Sequence, residues 1–206
     1  MFITFEGIEG SGKTTHVDLL SDYLEKQGHR VVRTREPGGT PVGEALRSVL
    51  LKKDLRVLPL TELLVFLASR AQHVEEVIRP ALEEGNIVLC DRFVDASYAY
   101  QGYGRGIDLG IIETLNRLVT KGVRPNLTIL LDCTVEVGLG RKSADGHLDR
   151  FEKEELSFHQ KIRSAYLELA EDDPKRFVVL NAKKDVAKTQ EVIREKVERL
   201  LKSHGV

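Results

Sequence analysis

Nine residues near the start of the chain, Gly7-Ile8-Glu9-Gly10-Ser11-Gly12-Lys13-Thr14-Thr15, combine permissive backbone, a cation and two threonine hydroxyls. Glycines at 7, 10 and 12 allow successive N–H groups to turn toward a single anion. Lys13 adds a mobile positive charge for β- and γ-phosphates, and the Thr14 hydroxyl suits Mg²⁺. The apolar run Phe2 to Glu6 leads in, and a helical pattern follows whose N-terminus adds its own partial positive charge. Strand, G-x-x-x-x-G-K-[ST] loop and helix in that order form a P-loop, so a nucleoside triphosphate is expected here.

A second set of residues implies a second substrate. In Thr34-Arg35-Glu36-Pro37-Gly38-Gly39-Thr40, Pro-Gly-Gly is strong turn chemistry. It presents Arg35, whose planar fork suits a phosphate belonging to an acceptor rather than to the donor. Glu36-Pro37 is also a place where a cis peptide can form. Asp91-Arg92 closes another apolar run. Asp91 there can hold Mg²⁺ through water or accept a proton from an attacking oxygen, and Arg92 calls for an anion to justify its place near the core. Phe66 and Arg70, four residues apart on a helical pattern, form an aromatic plate and a guanidinium one turn apart, suited to stacking on and hydrogen-bonding a base. Ser97-Tyr98-Ala99-Tyr100-Gln101-Gly102-Tyr103-Gly104-Arg105-Gly106 reads as a loop with unusual aromatic content.

The elements that must position these groups follow from periodicity. Five β-like runs (2–6, 31–35, 87–91, 127–132 and 177–181) are nearly continuous in apolar residues, as strands buried on both faces should be. Helical patterns lie between them: after the P-loop to Gly28, at 42–51, over 60–82 as one element of six turns, and at 109–121, 154–170 and 186–202. Alternating strands and helices call for an α/β fold with a parallel sheet and right-handed crossovers. Ligands then bind beyond the carboxyl ends of the strands. All five runs end there on polar residues: Glu6, Arg35-Glu36, Asp91-Arg92, Asp132 and Asn181.

Composition narrows the function classes. The 206 residues suit one domain, and a net charge of −1 lacks the basic footprint of a nucleic-acid binder. Apolar runs stop well short of a membrane span, so no membrane partner and a cytoplasmic location are expected. Two cysteines, Cys90 and Cys133, and scattered histidines offer no zinc pattern.

Taken together, G-x-E-G-x-G-K-T-T, T-R-E-P-G-G-T, F-L-A-S-R, D-R-F and S-x-A-Y-Q-G-x-G-R-G, at these intervals, resemble the thymidylate kinase family over essentially the whole chain. The resemblance implies a three-layer P-loop kinase fold: a five-stranded parallel sheet, helices on both faces and a short lid. It implies MgATP-dependent phosphorylation of dTMP to dTDP in dTTP synthesis, with a homodimer as the usual assembly. The family's roles would give ATP the loop residues Gly7 to Thr15, including Ile8, Glu9, Gly10, Ser11 and Gly12, together with Asn181. Lys13 would be catalytic and Thr14 and Asp91 would hold the metal. Arg35 and Arg92 would meet the acceptor phosphate and Glu9 the sugar hydroxyl. Phe66 would stack on thymine, Arg70 would donate to a base carbonyl, Ser97 and Gln101 would complete the base pocket, and Tyr100 would crowd out a ribose 2′-OH.

The lid, about residues 141–150, departs from the family pattern. Relatives with glycine rather than arginine at position 10 place arginines in the lid, whereas this chain has Asp145 where the later one is common. An acid there opposes transition-state stabilisation, so the catalytic charge is expected from Arg141, with Lys142 second. Arg150 would anchor the lid's return. The alternatives are another P-loop nucleotide or nucleoside kinase, or a GTPase-type switch. The switch would need N-K-x-D, and Asn181-Ala182-Lys183-Lys184-Asp185 has one residue too many.

Overall fold

The computed structural model describes residues 1–143, 149–182 and 185–205. The apolar runs form five strands with the expected bounds: β1 (Phe2–Glu6), β2 (Val31–Arg35), β3 (Ile87–Asp91), β4 (Leu127–Asp132) and β5 (Phe177–Asn181). They pair in parallel in the order β2-β3-β1-β4-β5. The inner strands β1, β3 and β4 are buried almost throughout, whereas the edge strands β2 and β5 alternate with exposed positions. Strand order reverses around β1, which makes the loop leaving it the switch point of the sheet.

Period-two alternation divides the side chains between the two faces. Ile3, Phe5, Ile87 and Leu89 join Val17, Leu20 and Leu24 of α1 (Lys13–Lys26). Phe2, Val88 and Cys90 point the other way, onto Val74, Ile78 and Ala81. Further helices are α2 (Pro41–Leu51), α3 (Pro59–His73), α4 (Arg79–Glu83), α5 (Val94–Ser97), α6 (Leu109–Thr120), α7 (Val135–Ser143), α8 (Leu156–Asp172) and α9 (Val186–His204).

Three expectations need correction. The element expected over 60–82 is α3 and α4 joined by a π-helical turn, Val74–Ile78. Pro80 explains the break: it has no N–H to give to the preceding turn, and a wider register absorbs it. The aromatic stretch expected as a loop is helical, α5 running into π-helical Tyr98–Gly104. Its glycines serve close packing rather than chain reversal. A Cβ on Gly102 would lie 2.5 Å from Leu109, and one on Gly104 2.8 Å from the Phe158 ring. Finally, α7 was not anticipated, because Gly138 and Gly140 interrupt its apolar pattern.

Candidate active site

The carboxyl ends of β1, β2 and β3 open into a cleft of about 610 Å³. Register brings the chemistry together: Arg35 and Phe5 both lie beside Asp91, one from each neighbouring strand. Of the residues singled out in the sequence, Glu9, Gly10, Gly12, Lys13, Thr14, Thr15, Arg35, Phe66, Arg70, Asp91, Arg92, Ser97, Tyr100, Gln101 and Lys142 line it. Gly7, Ile8, Ser11, Arg141 and Asn181 are not among its lining residues.

The P-loop half is built for an anion. Gly12 caps α1 in the left-handed region, no side chain occupies the cap, and no acid sits in the first turn. The amides of that turn are therefore left for a ligand. Lys13 Nζ donates to the carbonyls of Gly7 (3.1 Å) and Ile8 (2.9 Å). Burial and then repulsion from Arg92 lower its pKa to about 8 against the pull of nearby acids. A polyphosphate would raise it again. Thr14 Oγ1 donates to Asp91 Oδ2 at 2.7 Å, so the two expected metal residues meet.

Among the described residues no group of three or more His, Cys, Asp or Glu could hold a metal. A hydroxyl and a carboxylate are hard oxygen donors. A Mg²⁺ that keeps waters and takes its remaining ligands from substrate phosphates fits that pair.

Arg92 turns the chain at φ 71, its N–H bonded to Phe5 O at 2.9 Å. Its guanidinium donates to Glu9 Oε1 (3.2 Å) and Tyr166 Oη (3.0 Å) and lies 4.9 Å over the Tyr100 ring. Tyr100 also donates to Glu9 Oε1. Burial alone would raise Glu9, but His159, Arg92, Lys13 and Tyr100 outweigh it and bring the carboxylate down to about 2. Glu9 thus stays ionised and ready to accept a hydroxyl.

Among the remaining cleft residues, Phe66 is half-buried with its ring 6.0 Å from that of Phe151. Arg70 is only 1% exposed and donates to Glu36 Oε2 (2.7 Å), Ser97 Oγ (2.8 Å), Asn116 Oδ1 (2.5 Å) and Phe93 O (2.9 Å). Gln101 Nε2 donates to Glu62 Oε1 at 2.8 Å. The Glu36–Pro37 peptide is cis.

Arg141 and Asn181 lie elsewhere. Arg141 donates to Gly10 O (3.2 Å) and Ala182 O (3.1 Å), joining the P-loop to the end of β5. Lys142, by contrast, reaches the cleft, 3.6 Å from Glu152. Asn181 is the last residue of β5, in register with Asp132. Asp145 lies outside the described residues. Arg150, expected to tie the lid to the helix that follows it, is instead bonded to α2 and α3, through Leu50 O at 2.9 Å and Glu62 at 2.8 Å.

Sequence reasoning missed several contributors. Arg47 lines the cleft and donates to Pro37 O at 2.9 Å, adding a cation beside Arg35. Phe151 also lines the cleft, and fully buried His159 lies behind Glu9 with Nδ1 3.4 Å from Oε2. Neither carried a local signal, since each reaches the site from a part of the sequence remote from its motifs.

The family model described as thymidylate kinase matches residues 5–193. A thymidylate kinase of Geotalea uraniireducens is 52% identical over 199 residues, covering 93% of each chain. One of Citrifermentans bemidjiense is 53% identical over 211 residues, covering 99% of this chain and 94% of that one. The crystal structure of thymidylate kinase from Ehrlichia chaffeensis superposes with a TM-score of 0.79 at 38% identity, covering 96% and 98%.

Proposed function

The chain belongs to the thymidylate kinase family, and from that premise we propose how its residues divide the work of turning dTMP and ATP into dTDP and ADP. Phosphoryl transfer passes through a loose transition state, which asks a protein mainly for alignment and charge neutralisation. The acceptor phosphate is anionic near neutral pH, so no strong general base is needed and Asp91 acts as a positioner. The loop amides and Lys13 hold the donor phosphates. Arg35 and Arg92, with Arg47 beside them, hold the acceptor phosphate facing it. Glu9 accepts the sugar hydroxyl, Phe66 stacks on thymine, and Arg70, Ser97 and Gln101 frame the base. Tyr100, pinned to Glu9, fills the space a 2′-OH would take.

Thr14 and Asp91 would hold a Mg²⁺, which would supply charge neutralisation for the phosphoryl transfer when bound. We place the catalytic lid charge on Lys142, because it lines the cleft, with Arg141 bracing the P-loop against the adenine side near Asn181. Residues 141–150 are read as the lid of a single kinase domain. A cytoplasmic setting accords with two buried free cysteines, and among the described residues no helix is long and apolar enough to cross a membrane. A homodimer accords with exposed Leu60 and Leu64 on α3 and Ile111 and Leu118 on the adjoining α6.

The Thr14–Asp91 contact carries this reading, because it ties the donor loop to the strand that presents Arg92. Thr14→Ala and Asp91→Asn should each raise the Mg²⁺ concentration for half-maximal rate by roughly tenfold or more, the scale of one lost charge-assisted contact. Thr14→Ser should not. An unchanged Mg²⁺ requirement in both would remove these residues from the metal.

A further inference from the structure

Glu6, the last residue of β1, is fully buried and does not line the cleft, yet each of its oxygens bonds a group attached or bonded to Arg92. Oε1 accepts the N–H of Phe93, the residue following Arg92, at 2.7 Å. Oε2 accepts the hydroxyl of Tyr166 at 2.7 Å, and that oxygen in turn accepts Nη1–H of Arg92 at 3.0 Å. One carboxylate therefore grips Arg92 twice, through the backbone after it and through its guanidinium. The grip has something to hold. Arg92 sits at φ 71, a conformation a side chain keeps only when its surroundings impose it.

The chemistry explains why an acid occupies this place. Tyr166 accepts from Arg92, so its own proton must go to an acceptor on the far side. Phe93 N–H needs an acceptor as well. Among side chains of this length, only a carboxylate offers acceptors at both ends; glutamine would turn a donor toward one of them.

We propose that Glu6 is a positioning residue for Arg92, holding its backbone and, through Tyr166, its guanidinium in the orientation that meets the acceptor phosphate. This rests on the reading that Arg92 contacts that phosphate. Affinity for the phosphate then depends on a carboxylate that never touches substrate, while affinity for the rest of the nucleotide does not.

Thymidine, which lacks the phosphate, separates the two. Calorimetric titration of dTMP and thymidine into the wild type, Glu6→Gln, Tyr166→Phe and Arg92→Ala provides the test. Glu6→Gln and Tyr166→Phe should weaken dTMP by roughly tenfold, the scale of a lost hydrogen bond to a charged group, and thymidine by less than about twofold. Equal weakening of both ligands, or of neither, overturns the clamp and leaves Glu6 a core residue. Should Glu6→Gln fail to fold, Tyr166→Phe, which keeps the ring in place, decides alone. Arg92→Ala guards the premise. If it does not selectively weaken dTMP, the assignment of Arg92 falls and the inference with it. If it does while the clamp variants retain dTMP affinity, only the clamp falls.

Discussion

Arg70 commits most of its guanidinium to the protein, and the recognition role proposed for it falls to what is left. Four of its five N–H groups are bonded to protein, which leaves one on Nη2 for the proposed bond to a base carbonyl. Its Glu36 partner is buried; burial pushes that carboxyl up, and Arg70 and His73 together bring it below its ordinary 4.5. Arg70→Ala leaves Glu36 with His73 alone, so it should cost about 3–5 kcal/mol of stability near pH 7 in chemical denaturation. A depressed carboxylate contributes stability above its unfolded value and loses it as pH falls through the folded one. The gap between variant and wild type should therefore narrow below pH 4.5, and a pH-independent gap would contradict the ion-pair account. The partnership was invisible in the sequence: F-L-A-S-R marked Arg70, but nothing local says that Glu36, from the loop after β2, is its ion-pair partner.

At the scale of elements, the P-loop depends on a helix the sequence hid. Gly10 and Gly138 of α7 meet so closely that a Cβ on Gly10 would lie 2.0 Å from Gly138 O, and one on Gly138 2.4 Å from Glu9 O. An arginine at position 10 therefore has no room unless α7 moves. Gly138→Ala should push α7 off the loop and raise the KM for ATP by roughly tenfold, on the order of 1–3 kcal/mol for a forced shift in packed structure. An unchanged KM would mean the contact is incidental. The strands were legible because inner parallel strands are continuous apolar runs bounded by glycine and polar turns. Helices whose glycines serve contact, as in α7 and Tyr98–Gly104, are illegible for the same physical reason that they pack closely: the residue that permits approach also erases the periodicity. The site divides similarly. Residues in the β1, β2 and β3 turns were marked by turn chemistry, whereas Arg47, Phe151 and His159 arrive through tertiary packing alone.

At the scale of the molecule, α3 and α6 pack together and leave Leu60, Leu64, Ile111 and Leu118 exposed by half or more of their surface, apart from Leu64 at 49%. Leu64→Glu with Leu118→Glu should convert a dimer to a monomer in sedimentation, and an unaltered mass would place any interface elsewhere. On the proposed assignment, Glu9, Asp91 and Arg92 join a donor loop to an acceptor pocket in one cleft, so turnover should require both nucleotides at once. The direct test is ADP release from MgATP with each nucleoside monophosphate supplied in turn. Stimulation by dTMP, with ribonucleotides and purine nucleotides ineffective and little ADP formed without acceptor, is the expected result. Equal stimulation by another monophosphate, or acceptor-independent hydrolysis at a comparable rate, would contradict it.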